Sequence, residues 1–220
     1  MPYIVCAFVF GLFIPYMARR FAKFMPATFA GALVELFKSG KKVKKYRQTK
    51  QYRKFLERSF MSALVSAGVV WLAYVHFGSF GFTFMAAYLL ILLLLAEIDC
   101  RTFLLPDILP VPLLILGFLA AVFDMGLVPA GESAVGATVG YGLPVLASLL
   151  IVWYKKDAFG GGDIKLLAAI GAWLGVEGLL YVIAAAAFSG LAYALVRRKR
   201  TLAFGPMIAL AGIVVAICLF

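Results

Sequence analysis

The chain has few of the side chains on which most soluble hydrolases depend. It contains one histidine, His76, and three cysteines, Cys6, Cys100 and Cys218, with no CxxC pair among its 220 residues. A structural zinc ion usually needs four Cys or His ligands, so we expect no metal site. A serine or cysteine nucleophile normally needs a neighbouring base, most often histidine, so those mechanisms are disfavoured. Carboxylates are the reactive groups that remain.

Charged residues are also scarce, at 14% of the chain against 65% hydrophobic residues, and the mean hydropathy is +1.02. Several apolar runs approach the ~20 residues that a spanning helix needs. They are continuous rather than alternating, which argues against a β-barrel. We expect an all-α polytopic membrane protein, a bundle of about eight transmembrane helices, with seven as the alternative. The predicted segments are 2–18, 59–76, 79–97, 108–124, 133–153, 164–176, 178–196 and 202–220.

The charges are distributed unevenly along the chain. Residues 19–58 hold thirteen of the twenty-one Lys and Arg residues but only two acidic ones, and their net charge of +11 equals that of the whole chain. Because cytoplasmic loops are enriched in Lys and Arg, we expect a basic cytoplasmic loop after the first helix. We therefore divide the chain into 1–58, the first span with this loop, and 59–220, the membrane-embedded domain.

The same orientation accounts for the remaining charges. Threading the spans from the basic loop puts the N-terminus outside, with 2–18 as a retained span because no basic residue precedes it. Asp124, Glu132 and Glu177 then fall outside, while Asp99, Asp107 and Asp163 meet at the cytoplasmic face. The basic residues that fall on the cytoplasmic side are Arg101, Lys155, Lys156, Lys165 and 197–200.

The basic tract in this loop has two interpretations. A run such as KSGKKVKKYRQTK can bind nucleic acid electrostatically. It can also set the topology and touch anionic lipid headgroups. We favour membrane lipids over nucleic acid as the partner, because the tract is tethered between two spans and contains no nucleic-acid-binding motif.

Two aspartates stand at the ends of apolar segments. Asp99 follows AAYLLILLLLAEI, and Asp163 precedes IKLLAAIGAWLG. Carboxylates near lipid are costly and often mark a pathway or a reaction site. Asp163 could instead cap a helix, whereas an acid at a helix C-terminus, such as Asp99, opposes the helix dipole. A simple cap does not need the three glycines, Gly160, Gly161 and Gly162, that precede Asp163, and glycines permit close approach of the backbone or a substrate.

At this point the chain resembles a known family. IDCRTFLLPD (98–107) and FGGGDIKLLAAIGAWLG (159–175) are similar to the two signatures of the type IV prepilin peptidases, which are GxGD-type aspartyl proteases of the bacterial inner membrane. FGPMIALAG (204–212) resembles the family's segment before the last span. The resemblance implies that Asp99 and Asp163 are the catalytic pair. It also implies that Gly160 and Gly162 are the motif glycines, with Gly161 at the variable position.

The resemblance implies a substrate and a reaction as well. Prepilins and pseudopilins carry a short basic leader before an apolar helix, and cleavage after a glycine at that junction would occur at the cytoplasmic membrane face. Because two close carboxylates resist ionising together, we expect the pair to share one proton. The ionised partner would then activate water while the protonated one polarises the scissile carbonyl. Proteolysis by this route requires no cofactor.

The chain departs from the family in its first half. Many members have paired CxxC motifs in the first cytoplasmic loop, whereas residues 19–58 contain no cysteine. Many members also methylate the processed pilin with S-adenosylmethionine. The matched motifs imply the peptidase but leave methyltransferase activity, and with it S-adenosylmethionine, an open question.

Three further residues receive supporting roles. Lys165 lies two positions after Asp163, where it could stabilise that carboxylate or extend to the interface. Asp107 could position a loop, contact the basic leader or cap a helix, and Pro106 belongs to the same LPD element.

Two rival functions stay open. One is another GxGD intramembrane protease, which the pattern of ID followed by LPD disfavours. The other is a proton-coupled transporter, whose acidic residues would be expected near the midplane of the bilayer.

Overall fold

The fold is a bundle of α-helices in a computed structural model that describes residues 2–24, 50–77, 82–103, 105–151, 160–197 and 203–220. Within these ranges there are seven helices and no strand. They are α1 (Pro2–Phe24), α2 (Lys50–Phe77), α3 (Phe82–Thr102), α4 (Pro110–Val122), α5 (Ala130–Ile151), α6 (Gly161–Arg197) and α7 (Gly205–Leu219). The all-α prediction is confirmed.

Five of these helices are long and apolar enough to cross a membrane, namely Tyr3–Phe21, Lys54–His76, Phe82–Thr102, Ala130–Leu150 and Gly161–Val196. Two shorter apolar helices, Pro110–Val122 and Gly205–Leu219, complete the described set. The protein is therefore a multi-pass membrane protein by length and composition. A count of about eight spans stays a prediction.

The predicted segments 164–176 and 178–196 both fall in α6, which consists of two helical stretches joined at a kink. The kink lies at Gly175, close to the end of the first predicted segment, where the backbone is non-helical, with φ 66° and ψ −171°. Residues 166–174, directly before this break, are all buried, whereas 162–165 are half-buried and much of the second half of α6 is exposed. A positive φ is a conformation that glycine adopts without the steric cost of a side chain. Gly175 therefore ends the buried half of α6 and redirects the exposed half.

The basic loop predicted at 19–58 is only partly described. Residues 25–49 lie outside the described residues, while α1 continues to Phe24 and α2 begins at Lys50. The helix that contains the second predicted span therefore extends nine residues into the basic region and crosses the predicted boundary at 58/59. The division into 1–58 and 59–220 stays a prediction.

The core is organised around two aromatic side chains on the helices that carry the aspartates. Tyr88 of α3 and Trp173 of α6 are both buried, with ring centroids 4.8 Å apart. Trp173 Nε1 donates a hydrogen bond to the Leu113 carbonyl of α4 at 2.9 Å, and the Tyr88 hydroxyl donates to the Gly212 carbonyl of α7 at 3.3 Å. Buried polar groups of this kind need partners. The two side chains therefore join four helices at one level.

Helices α5 and α6 pack so closely that their backbones touch. A Cβ built on Gly136 would lie 2.2 Å from the Gly171 carbonyl oxygen, and one built on Gly171 would lie 2.1 Å from the Gly136 oxygen. Near the same crossing, the Ser133 hydroxyl donates to the Ala172 carbonyl at 2.7 Å. Small residues permit this close approach of helices within membranes. The crossing fixes the buried half of α6, which begins at the second aspartate motif.

The crossing yields a prediction about stability. We expect Gly136→Ala to lower the stability of the purified protein by about 1–3 kcal/mol, because the new methyl group has no room between two backbones. The matched control is Gly142→Ala on the same helix, where a Cβ meets nothing within 4 Å. That change should be neutral or stabilising by a few tenths to ~1 kcal/mol. Melting temperatures in detergent compare the two, and equal values would contradict the packing.

Candidate active site

Asp99 lies in the last turn of α3 and is 4% exposed. Its position follows from the spacing of buried residues in that helix, because Tyr88, Leu92 and Leu95 occupy the same stripe at intervals of three or four residues. The predicted segment ended at 97, so the helix continues farther than expected and carries Asp99 inside the bundle. Within the described residues, Asp99 is the only buried side chain among the Asp, Glu, Lys, Arg and His residues.

The buried carboxylate has a partner at the start of α7. The Gly205 N–H donates a hydrogen bond to Asp99 Oδ2 at 3.0 Å. The first N–H groups of a helix have no partner within the helix and favour negative charge. Pro206 follows directly and has no N–H, while the N–H groups of Met207 and Ile208 bond to the Phe204 carbonyl. Asp99 thus satisfies the first donor of α7.

Gly205 also leaves the space that Asp99 occupies. A Cβ built on Gly205 would lie 2.7 Å from Asp99 Oδ2 and 2.9 Å from Leu105 Cδ1. Any larger residue would force the carboxylate or Leu105 away. The glycine is required by close packing, since its φ is not in the left-handed region.

The segment after α3 folds back over this carboxylate. Phe103 adopts a positive φ of 53°, which is uncommon for a residue other than glycine, and its N–H bonds to the Asp99 carbonyl at 3.0 Å. The chain therefore reverses at Phe103 and places Leu105, which is 9% exposed, between the starts of α6 and α7. Leu105 therefore connects the surroundings of Asp99 with those of Asp163.

Asp163 stands in the first turn of α6 and is partly buried. Its backbone N–H donates to the Gly160 carbonyl at 3.0 Å, so the glycine run leads directly into the helix. Leu105 lies against both Gly162, the neighbour of Asp163, and Gly205, the hydrogen-bond partner of Asp99, so the segments that carry the two carboxylates meet there. The structure thus brings together the two carboxylates predicted as a pair, 64 residues apart in sequence.

The three glycines before Asp163 have different surroundings. A Cβ on Gly162 would lie 2.5 Å from Leu105 Cβ and 2.7 Å from the Leu105 carbonyl oxygen. A Cβ on Gly160 would lie 3.3 Å from Asp163 Oδ2, whereas one on Gly161 meets nothing within 4 Å. Packing therefore demands glycine most strongly at Gly162, restricts Gly160 and leaves Gly161 free. That Gly161 is the variable position of the motif stays a prediction.

Lys165 does not have the partner that the sequence suggested first. Its ammonium forms an ion pair with the Asp107 carboxylate, and both side chains are substantially exposed. The pair connects the first turns of α6 to the segment that contains Leu105. The Pro106 carbonyl accepts the Leu109 N–H at 3.3 Å, so Pro106 and Asp107 belong to the turn before α4. No side chain caps α4, whose N-cap residue is Leu109.

Sequence reasoning assigned no role to Gly205 or Leu105, although both contact the site. Their signals were present, because Gly205 is the glycine of FGP and Leu105 is the leucine of LPD. A motif shows that a residue type is needed but not which atom it faces. Among the described residues, no group of three or more His, Cys, Asp or Glu side chains could hold a metal ion.

Comparison with known proteins places these residues in a family context. The sequence model of the type IV leader peptidase family matches residues 86–195, which is half of the chain and includes both aspartates. The chain is 38% identical over 169 residues to a prepilin leader peptidase/N-methyltransferase of Pectobacterium carotovorum, covering 70% of this chain and 56% of that protein. It is 40% identical over 137 residues to the protein of that name from Escherichia coli K12, covering 58% and 59%. The chain thus spans little more than half the length of these relatives. No solved structure matches it.

The glycine contacts predict a difference between neighbouring positions. We expect Gly162→Ala to lower the melting temperature, because the new methyl group would push Leu105 away at a cost of about 1–3 kcal/mol. Gly161→Ala should leave it unchanged or raise it, since nothing contacts that position. Thermal unfolding of both variants in detergent tests the contact, and a larger loss in Gly161→Ala would contradict the arrangement.

Proposed function

The chain belongs to the type IV leader peptidase family, and from this premise we propose that it is an aspartyl endopeptidase that removes the basic leader of prepilins or pseudopilins. Cleavage follows a glycine at the junction of leader and apolar segment. The observation that carries the proposal is the convergence of Asp99 and Asp163 at one end of the bundle, where α3 ends, α6 begins and Leu105 packs against Gly162 and Gly205. Both lie within the part of the chain that the family matches.

The reaction requires one proton on the pair. Like charges held close together do not ionise together, so one carboxyl is protonated and the other is anionic. The anionic carboxylate takes a proton from water as its hydroxide adds to the scissile carbonyl carbon. The protonated carboxyl donates to the carbonyl oxygen. The tetrahedral intermediate then collapses: the leaving nitrogen takes the proton held by the base as the C–N bond breaks, and one hydroxyl of the intermediate returns its proton to the carboxylate that acted as the acid.

The surroundings of Asp99 suit this role. The Gly205 N–H orients one carboxylate oxygen, and the walls of Leu105 and Gly205 exclude water from that side. Asp163 is more open and lies beside the glycine run. In this proposal the substrate approaches from the Asp163 side, and Asp99 is held fixed by α7. A preorganised site of this type reduces the reorganisation needed during catalysis.

The membrane arrangement in this proposal follows the charge distribution. The site lies at the same end of the bundle as Arg19 and Arg20 of α1, Arg58 of α2 and Arg101 of α3. A basic end is the cytoplasmic end in most membrane proteins. The protein is then a multi-pass protein of the bacterial inner membrane, with its N-terminus outside and its dyad at the cytoplasmic face.

The names of the relatives include N-methyltransferase. Methyl transfer, and with it S-adenosylmethionine, stays an open question for this chain and forms no part of this proposal. Leader removal in detergent distinguishes the peptidase from the rival proton-coupled transporter. No proton gradient exists there, so a peptidase still cleaves the leader whereas a transporter does not.

The dyad is tested by exchanging each carboxylate for an amide. Asp99→Asn keeps an oxygen that can accept the Gly205 N–H, so it removes the acid without removing the bond. We expect Asp99→Asn and Asp163→Asn each to lower the rate of leader removal by about 10²-fold or more. Intact masses of a co-expressed prepilin measure the result.

The matched control for this test is Asp124→Asn. Asp124 is exposed and has a φ of 54°, a conformation that asparagine also tolerates. It should process the prepilin at the wild-type rate. Full activity in either dyad variant, at equal amounts in the membrane, would disprove the proposed function.

The Lys165–Asp107 pair leads to a second kinetic prediction. If the pair acts as a unit that holds the Leu105 segment against α6, then Lys165→Gln and Asp107→Asn should reduce kcat/KM by a similar factor of a few, because exposed ion pairs contribute little. The double variant should then be no worse than either single one. A Lys165→Gln defect much larger than the Asp107→Asn defect would instead show that Lys165 acts directly on Asp163.

A further inference from the structure

A cavity of about 410 Å³ lies among α1, α2, α3 and α7. Its volume is within the ~300–1,000 Å³ range of ligand-binding pockets. Helix α3 contributes five lining residues, which are Leu93, Ala96, Glu97, Cys100 and Arg101. These residues recur at intervals of three and four, so they form one face of the helix.

This cavity is distinct from the dyad, although it lies at the same end of the bundle. Successive residues of an α-helix are rotated by ~100°, so the side chains of Glu97 and Asp99 leave α3 in nearly opposite directions. Asp99 points to Gly205 and Leu105, neither of which lines the cavity. The reaction proposed above therefore does not use this cavity.

The rim of the cavity is cationic. Arg58 of α2 and Arg101 of α3 both line it, and Glu97 accepts a hydrogen bond from Arg101 Nε at 2.9 Å. Arg19 lies one turn beyond the lining residue Pro15 on α1, and its guanidinium stacks 4.2 Å over the Phe55 ring of α2. Among the lining residues, Arg58 and Arg101 stand against the single carboxylate of Glu97, which leaves a net positive charge at the level expected for lipid headgroups.

Below the rim the lining is mostly apolar, with Ile14, Leu93 and Leu210 on three different helices. The Ser62 hydroxyl, which also lines the cavity, donates a hydrogen bond to the Gly11 carbonyl at 2.8 Å. Met61 and Val65 of α2 and Leu210 of α7 are 47–59% exposed, so the cavity opens sideways between these two helices. The opening faces the hydrocarbon region, because α2 is one of the helices suited to span the membrane.

We propose that this cavity binds an anionic phospholipid. The phosphate contacts the guanidinium groups of Arg58 and Arg101, which suit phosphate oxygens in charge and geometry. One acyl chain lies along the apolar wall between α2 and α7. A zwitterionic lipid is bound less well, because the cationic group of its headgroup would lie beside the same arginines.

The test uses the full chain in nanodiscs that contain phosphatidylglycerol and phosphatidylcholine with identical acyl chains in equal amounts. Native mass spectrometry identifies the lipids that stay bound as the disc is removed. We expect the wild type to retain one phosphatidylglycerol, with a preference of about tenfold over phosphatidylcholine, typical of one charge-assisted contact. Arg58→Gln should lose this preference. Lys54→Gln should keep it, because it removes the same charge one helical turn farther from the cavity.

A second pair of variants tests the apolar wall without changing any charge. Val65→Phe places a larger side chain in the cavity and should reduce retention of the lipid, whereas Val214→Phe changes an exposed position of α7 that does not line it. Equal loss in Arg58→Gln and Lys54→Gln would overturn the proposal in favour of general surface attraction. Unchanged retention in Val65→Phe would place the lipid elsewhere. Displacement of the bound lipid by a prepilin peptide would assign the cavity to the substrate instead.

Discussion

The arrangement of the site depends on one buried carboxylate and the single backbone N–H that it accepts. Removing a charged group from water is costly unless hydrogen bonds compensate, and within the described residues Asp99 is the only such group in the core. Its partner, the Gly205 N–H, must lie at the start of a helix to be unpaired. That requirement brings α7 against α3 and leaves room at position 205 only for glycine. Leu105 then closes the remaining side and touches Gly162, so the position of Asp163 follows from that of Asp99.

The two aspartates also need a common depth, which is set farther inside the bundle. Tyr88 precedes Asp99 by eleven residues and Trp173 follows Asp163 by ten, so each aromatic ring lies about 15 Å along its helix from the carboxylate. Because the rings pack at 4.8 Å, a sliding movement of α3 against α6 would break this contact and the hydrogen bonds to Leu113 and Gly212. The alignment of the dyad therefore rests on a buried contact three helical turns away.

The sequence was sufficient to predict the class of fold and to expect Asp99 and Asp163 close together, because long apolar runs form spanning helices and the distribution of basic residues puts both acids at one membrane face. It was less informative where the outcome depends on which atoms meet. Lys165 and Asp107 were considered separately, yet they pair with each other across two segments. The glycine run was interpreted as allowing close approach of backbone and substrate, but the sequence did not show that Leu105 of the same chain makes that approach at Gly162. Hydropathy also could not show that α3 extends past 97, since the apolar run ends where the charged residues Glu97, Asp99 and Arg101 begin.

The cytoplasmic turns of α3 illustrate how one helix serves two polar environments. Glu97 and Asp99 are only two residues apart, yet the helical rotation directs them to opposite sides, so their negative charges are satisfied separately. Glu97 is neutralised by Arg101 at the rim of the cavity, while Asp99 depends on a backbone donor in a nearly closed space. If Glu97 also faced Asp163, the site would contain three carboxylates, which would compete for one proton. The division into acid and base would then be lost. The Glu97–Arg101 pair therefore keeps a third carboxylate out of the catalytic arrangement and leaves Arg58 at the rim for an anionic ligand.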